Sequence, residues 1–164
     1  MLDKQKATRC YQYEISKIRD RQTQEVRGLT EHLRKNGILS QGFGYEAYIN
    51  LSAKHLKDCA ELHVDCDLKA FERNKKIDDD TKTDLLNRME KFIDALVSGY
   101  TSLIKEKVAA NNLVGAIADA YLNAMYHKSL FVRQDLRNKI LIKIDEHNDA
   151  IEVELGRAKE KMDT

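Results

Sequence analysis

The sequence predicts an all-α fold, an elongated bundle of four to five long amphipathic helices in antiparallel hairpins with coiled-coil-like packing. Three observations carry this expectation. None of the 164 residues is proline, the residue that breaks helices by losing a hydrogen bond and clashing with the preceding turn. Three of the seven glycines are gathered between Gly37 and Gly44, so enforced breaks are few. Apolar residues recur at steps of three and four along most of the chain, the period of a helix with one buried face.

Each element follows from that period. Residues 3–36 read as one helix, with Tyr11, Ile15, Ile18, Gln22, Val26, Leu29 and Leu33 on a single stripe. Asn36-Gly37 is a stop, because glycine takes the left-handed conformation that closes a helix. Ile38 to Gly44 follows as an apolar loop. A second helix over 45–76 carries Tyr45, Ile49, Ser52, Leu56, Cys59, His63, Cys66 and Ala70 in alternating steps of four and three, a coiled-coil-like seam. Asp78, Asp79 and Asp80 break this pattern and favour the start of the next helix. That third helix, 81–110, uses Leu85, Met89, Ile93, Leu96, Tyr100 and Ile104. Asn111-Asn112 suggests a turn. A fourth helix, 113–127, is rich in small residues (Ala116, Ala118, Ala120, Ala124) and is expected to be the most buried. The last, 130–162, carries Val132, Leu136, Ile140, Ile144, His147, Ile151, Leu155, Ala158 and Met162. Nothing at 128–130 compels a break, so the last two helices read equally as one rod.

The length fits a single helical domain, 1–164, with 1–77 and 78–164 as two helical-hairpin halves. A shift of 75 residues lays Ile18 on Ile93 and Leu29 on Ile104; duplication and the general likeness of amphipathic helices both produce such matches. Charged residues make up 34% and aromatics 7%, which suits long helices more than a compact enzyme core. Lysine plus arginine number 28 against 27 acidic residues, a balance that argues against general coating of nucleic acid while leaving room for a local patch. Residues 1–37 hold nine basic and five acidic side chains, and residues 38–80 hold six and nine. The first two helices are therefore expected to pair with basic flanks on one and acidic flanks on the other. The first six residues are too polar for a signal peptide, and no run nears the roughly 18 apolar residues that span a bilayer. Three widely spaced cysteines argue against a secreted disulfide framework and point to the cytoplasm.

Three constellations hold chemistry-bearing side chains. His55, Cys59, His63 and Cys66 share one arc of the second helix, and imidazole and thiolate are zinc ligands. The outer two lie roughly 16 Å apart along the axis, so a zinc site needs ligands from another helix, with Cys10 and His127 as donors. Core cysteines and an interface histidine are the alternative. Arg27 followed by His32 resembles the catalytic element of helical HEPN ribonucleases, with Gly28 where that family places a polar residue. The basic first helix, with Arg27, Arg34 and Lys35 among its cations and Tyr11 and Tyr13 among its rings, has what single-stranded RNA contact uses. Its charges are spread around the helix, which equally describes a solvated face.

The stretch Glu25-Val26-Arg27-Gly28-Leu29 with Leu33-Arg34-Lys35-Asn36-Gly37-Ile38-Leu39-Ser40-Gln41 resembles the small helical subunit of type III-B CRISPR (Cmr) effector complexes. That resemblance implies a non-enzymatic filament subunit contacting target RNA through Arg27, Arg34 and Lys35. Taken alone, the helices imply a non-catalytic interaction or scaffold subunit that binds a protein partner or its own copies. A 30-residue helix runs roughly 45 Å, longer than a compact domain of this size is wide, which leaves apolar stripe to be covered. Ile38, Leu39 and Phe43 of the loop, and Ile140, Ile144, Ile151 and Leu155 of the last stripe, are the expected contact surfaces. No cofactor is implied apart from the zinc alternative, and no membrane.

Overall fold

A computed structural model describes residues 2–37, 42–110 and 115–163. Four helices follow one another: α1 (Lys4–Lys35), α2 (Gly42–Lys69), α3 (Asp79–Ala110) and α4 (Gly115–Met162). No strand occurs among the described residues, and the all-α bundle is as the sequence predicts. None of these helices is long and apolar enough to cross a membrane.

Local chemistry sets the ends. Asp3 caps α1, its carboxylate accepting from the Lys6 amide at 3.0 Å, which satisfies one of the donors a helix start leaves open. At the other end Gly37 takes a φ of 67°, the left-handed turn expected of the Asn36-Gly37 stop. The Asp78 carboxylate accepts from the Thr81 amide at 2.7 Å and starts α3 where the three aspartates indicated.

Both ends of α2 differ from the sequence expectation, and it begins at Gly42, inside the stretch read as an apolar loop. α2 ends at Lys69 rather than near 76, because tertiary hydrogen bonds claim the backbone beyond it. The Ala70 carbonyl accepts from the Asp3 amide at 3.2 Å. The Asn148 side chain both accepts from the Ile77 amide, at 2.8 Å, and donates to the Ile77 carbonyl, at 3.1 Å. Phe71 and Ile77 are buried by this fold-back. The last two predicted helices are one helix of 48 residues. Ser129, between the two predicted helices, lies buried inside it with its hydroxyl donating to the Tyr126 carbonyl at 2.6 Å.

α2 is the hub, packing against α1, α3 and α4. One continuous apolar core joins Ile49, Leu56, Ala60 and Val64 of α2 to Leu85, Met89 and Ile93 of α3 and to Met125, Val132, Leu136, Ile140 and Ile144 of α4. From α1 only Ala7 enters it. The small-residue segment expected to be most buried is not so among its described residues. Asp119 and Ala120 are exposed, Tyr121 and Ala124 half-buried, and Met125 alone is enclosed. Tyr121 and Ala124 pack against the core without being enclosed by it.

Candidate functional site

α1 and α2 run antiparallel, and the contacts between them descend in register. Asp3 meets Ala70, Cys10 meets Cys66, Gln22 meets Cys59, Glu25 meets His55, and Thr30 meets Tyr48. Cys10 and Cys66 form a disulfide, with their Cα atoms 5.6 Å apart. Glu25 pairs with Lys54 at 3.2 Å and with the buried His55 at 3.4 Å. Hydrogen bonding from Lys54 holds the Glu25 carboxyl below its usual range. The expected charge complementarity is therefore inverted at this pair, since α1 supplies the acid and α2 the bases.

Deeper in the seam lies a polar cluster under α1. Cys59 is a buried free thiol with the Gln22 amide nitrogen 3.5 Å from its sulfur. Tyr11 and Tyr100 approach the same sulfur; burial first, and Cys59 second, push the Tyr11 hydroxyl up to about 12 and raise Tyr100 as well. His63 stacks on Phe92 with ring centroids 4.0 Å apart, and Tyr11 sets its edge against both rings. His63 Nδ1 is buried without a hydrogen-bond partner; Asp67 stands 3.8 Å away, beyond hydrogen-bond reach. Asp67 is itself taken by Arg88, which donates Nε–H at 3.0 Å and Nη2–H at 2.9 Å. Burial holds His63 below its ordinary value, and Arg88 adds to that while Asp67 opposes it.

The four zinc candidates are thus pulled to different partners. His55 goes to Glu25, Cys59 to Gln22, His63 to Phe92, and Cys66 to Cys10. Cys66 as a thiolate ligand is corrected, because its sulfur is bonded to Cys10. Cys10, the suggested donor from another helix, is consumed by the same bond. His127 lies exposed on α4 with Tyr126 at its ring edge. Among the described residues no three His, Cys, Asp or Glu side chains are grouped to hold a metal.

Arg27 and His32 are not brought together. Five residues place them about 140° apart around a helix, and His32 instead has the Asn36 side chain beside it at 3.4 Å. Arg27 and Arg34, two turns apart, flank a shallow groove with Val26, Thr30 and Glu31. Lys35 pairs with Glu31 at 3.6 Å. Of the two rings proposed for base stacking, Tyr11 is packed in the seam, while Tyr13 is exposed with the Lys17 ammonium over its face at 4.2 Å.

The expected contact surfaces divide. Ile38 and Leu39 lie outside the described residues, and Phe43 falls in the first turn of α2. Ile140, Ile144 and Ile151 are corrected as surface: all three are buried within this chain, Ile140 and Ile144 in the core shared with α2 and α3, and Ile151 between Asn148 and Glu152, which bind the segment after α2. Leu155 is exposed, as are all residues from Glu152 to Asp163. α4 is tied to the segment after α2 by His147, on the Lys75 carbonyl at 2.7 Å, by Asn148, and by Glu152, which pairs with Lys76. The stripe that is core up to Ile151 therefore continues as open surface through Leu155 to Met162, which is 86% exposed.

A second row escaped the sequence reading. Phe131 (77% exposed), Ile142 and Val153 stand out from α4 at intervals of eleven residues. Eleven residues are three turns plus about 20°, so the three share one outer face. The eleven-residue interval was the available signal. The disulfide was equally in reach, since folding the chain back at Asn36-Gly37 lays residue 10 opposite the mid-60s.

These features define an all-α bundle with a cross-linked polar seam at one side and a bare helix end at the other. No family model, curated protein or solved structure matches the chain.

Proposed function

We propose that this chain is a non-catalytic helical interaction subunit that associates with its own copies or docks into a larger assembly through the end of α4; the Cys10–Cys66 disulfide removes the cysteine argument for the cytoplasm. The observation that carries the reading is the continuity of one stripe across a change of environment. Ile140, Ile144 and Ile151 are enclosed, and Leu155 and Met162 extend the same face into solvent. An apolar stripe left open beyond its bundle is the kind of surface a second helix covers. Sedimentation equilibrium tests this. The expected result is self-association, weakened at least tenfold by Leu155→Glu. A clean monomer at high concentration, unaltered by that change, removes association through this stripe.

A second reading, an RNA-contacting subunit like those of type III CRISPR complexes, is favoured by Arg27 and Arg34 on one exposed face of α1. Neither makes an ion pair among the described residues. Retention of single-stranded RNA that falls with salt, and is lost in Arg27→Glu/Arg34→Glu, supports it. No retention at physiological ionic strength leaves the first reading alone.

A further inference from the structure

We propose that the Cys10–Cys66 disulfide is a redox latch, which a dithiol reductant opens to release α1 from α2 and uncover the polar seam beneath. This inference stands apart from the assembly reading above and rests on how unevenly α1 is held.

Near the latch α1 has Leu2 before it and Ala7 and Ile15 on either side of Cys10 as buried neighbours. Past Ile15 no α1 side chain is fully buried until Leu33. Between those two points the helix is held by the Gln22–Cys59 contact, the Glu25 pair with Lys54 and His55, the Thr30–Tyr48 hydroxyl contact, and half-buried side chains such as Ile18 and Val26. Water can replace each of the polar partners once α1 lifts. The core shared by α2, α3 and α4 loses only Leu2 and Ala7 if α1 leaves. A local opening that spares the remaining core is what such a distribution of contacts permits.

The two sulfurs are also unequal. Cys66 is buried, whereas Cys10 is half-buried, so a reductant reaches Cys10. Its thiolate attacks Cys10 Sγ, forming a mixed disulfide, and the Cys10–Cys66 bond breaks. Cys66 departs with the electron pair and takes up a proton. The second thiolate of the reductant then attacks the reductant's own sulfur in the mixed disulfide. That closes the reductant's ring and frees Cys10, which is protonated in turn. Two electrons have passed from the dithiol to the protein. An oxidised dithiol or a disulfide-bearing oxidant runs the same steps backwards.

Cys59 reports the outcome, because two of the side chains at its sulfur, Gln22 and Tyr11, leave with α1 while Tyr100 stays with α3. The test uses the full chain, oxidised or treated with dithiothreitol under native conditions, followed by mass-spectrometric hydrogen exchange and iodoacetamide labelling. The oxidised chain is expected to yield a linked Cys10–Cys66 peptide. Reduction is expected to raise exchange across residues 12–35 and the Cys59 labelling rate at least tenfold, with α3 and residues 136–151 of α4 as protected as before. Cys10→Ser, at a half-buried position, should behave as the reduced chain does without reductant. Should that variant not fold, the wild-type comparison reads the same two quantities. The proposal is overturned by an absent linked peptide, by equal exchange and labelling in both forms, or by loss of protection throughout, which would make the bond a structural staple.

Discussion

α2 shows two faces to the rest of the molecule, and they are held by different physics. Towards α3 and α4 it offers Leu56, Ala60 and Val64, which merge with Leu85, Met89, Ile93, Leu136 and Ile140 into one enclosed apolar mass. Towards α1 it offers Tyr48, His55, Cys59, His63 and Cys66, whose partners are a hydroxyl, a carboxylate, an amide, an aromatic edge and a sulfur. Burial of apolar surface is favourable wherever it occurs, whereas a polar contact in the seam replaces one with water and nets roughly 1 kcal/mol. The second face would be the weaker one on these terms alone. The disulfide compensates. Linking residues 56 apart in sequence restricts the unfolded chain by about 4 kcal/mol in the chain-entropy account.

The sharpest way to break this contrast is to remove one side chain from each face with the disulfide intact. Ile93 has no exposed surface, and Ile93→Ala is expected to cost about 2 to 5 kcal/mol through lost transfer energy and an unfilled cavity. Gln22→Ala, which loses only a thiol–amide contact at 3.5 Å, is expected to cost about 1 kcal/mol or less. Urea midpoints of the two variants at equal slope decide the matter. If Gln22→Ala shifts the midpoint as far as Ile93→Ala, the seam is as integral as the core and the distinction fails.

The same contrast explains what the sequence disclosed. Periodicity marked the stripes of α1 and α3, and the turn chemistry of Asn36-Gly37 and Asp78 marked their ends, because those signals are local. It did not show where α2 stops, since Lys69 is the last helical residue only because Asp3 and Asn148 capture backbone groups from far along the chain. Nor could a period distinguish covered stripe from open stripe. Ile144 and Leu155 occupy equivalent positions on α4, and only the reach of α2 and α3 decides that one is core and the other surface. His55, Cys59, His63 and Cys66 were visible as neighbours on one arc. Their separate partners all come from other helices, and a sequence read one helix at a time does not pair them.

The smallest expected effect, and the most particular to the seam, lies at His63. Tyr11 faces it from α1, Asp67 lies along α2, and Arg88 and Phe92 face it from α3. Burial depresses its pKa in the folded chain, while the unfolded chain takes up a proton near the ordinary value of about 6.5. The contribution to stability is therefore complete above that value. As pH falls below it, the unfolded state binds the proton that the folded state refuses, and stability is lost towards the depressed folded value. His63→Phe removes both the titration and the unpartnered Nδ1 while keeping a ring against Phe92, so its stability should fall less steeply than the wild type's between pH 7 and 5. Parallel profiles for the two proteins would show that the folded chain accommodates a charged imidazole, through Asp67, as readily as water does, and the seam would then be wetter than its burial implies.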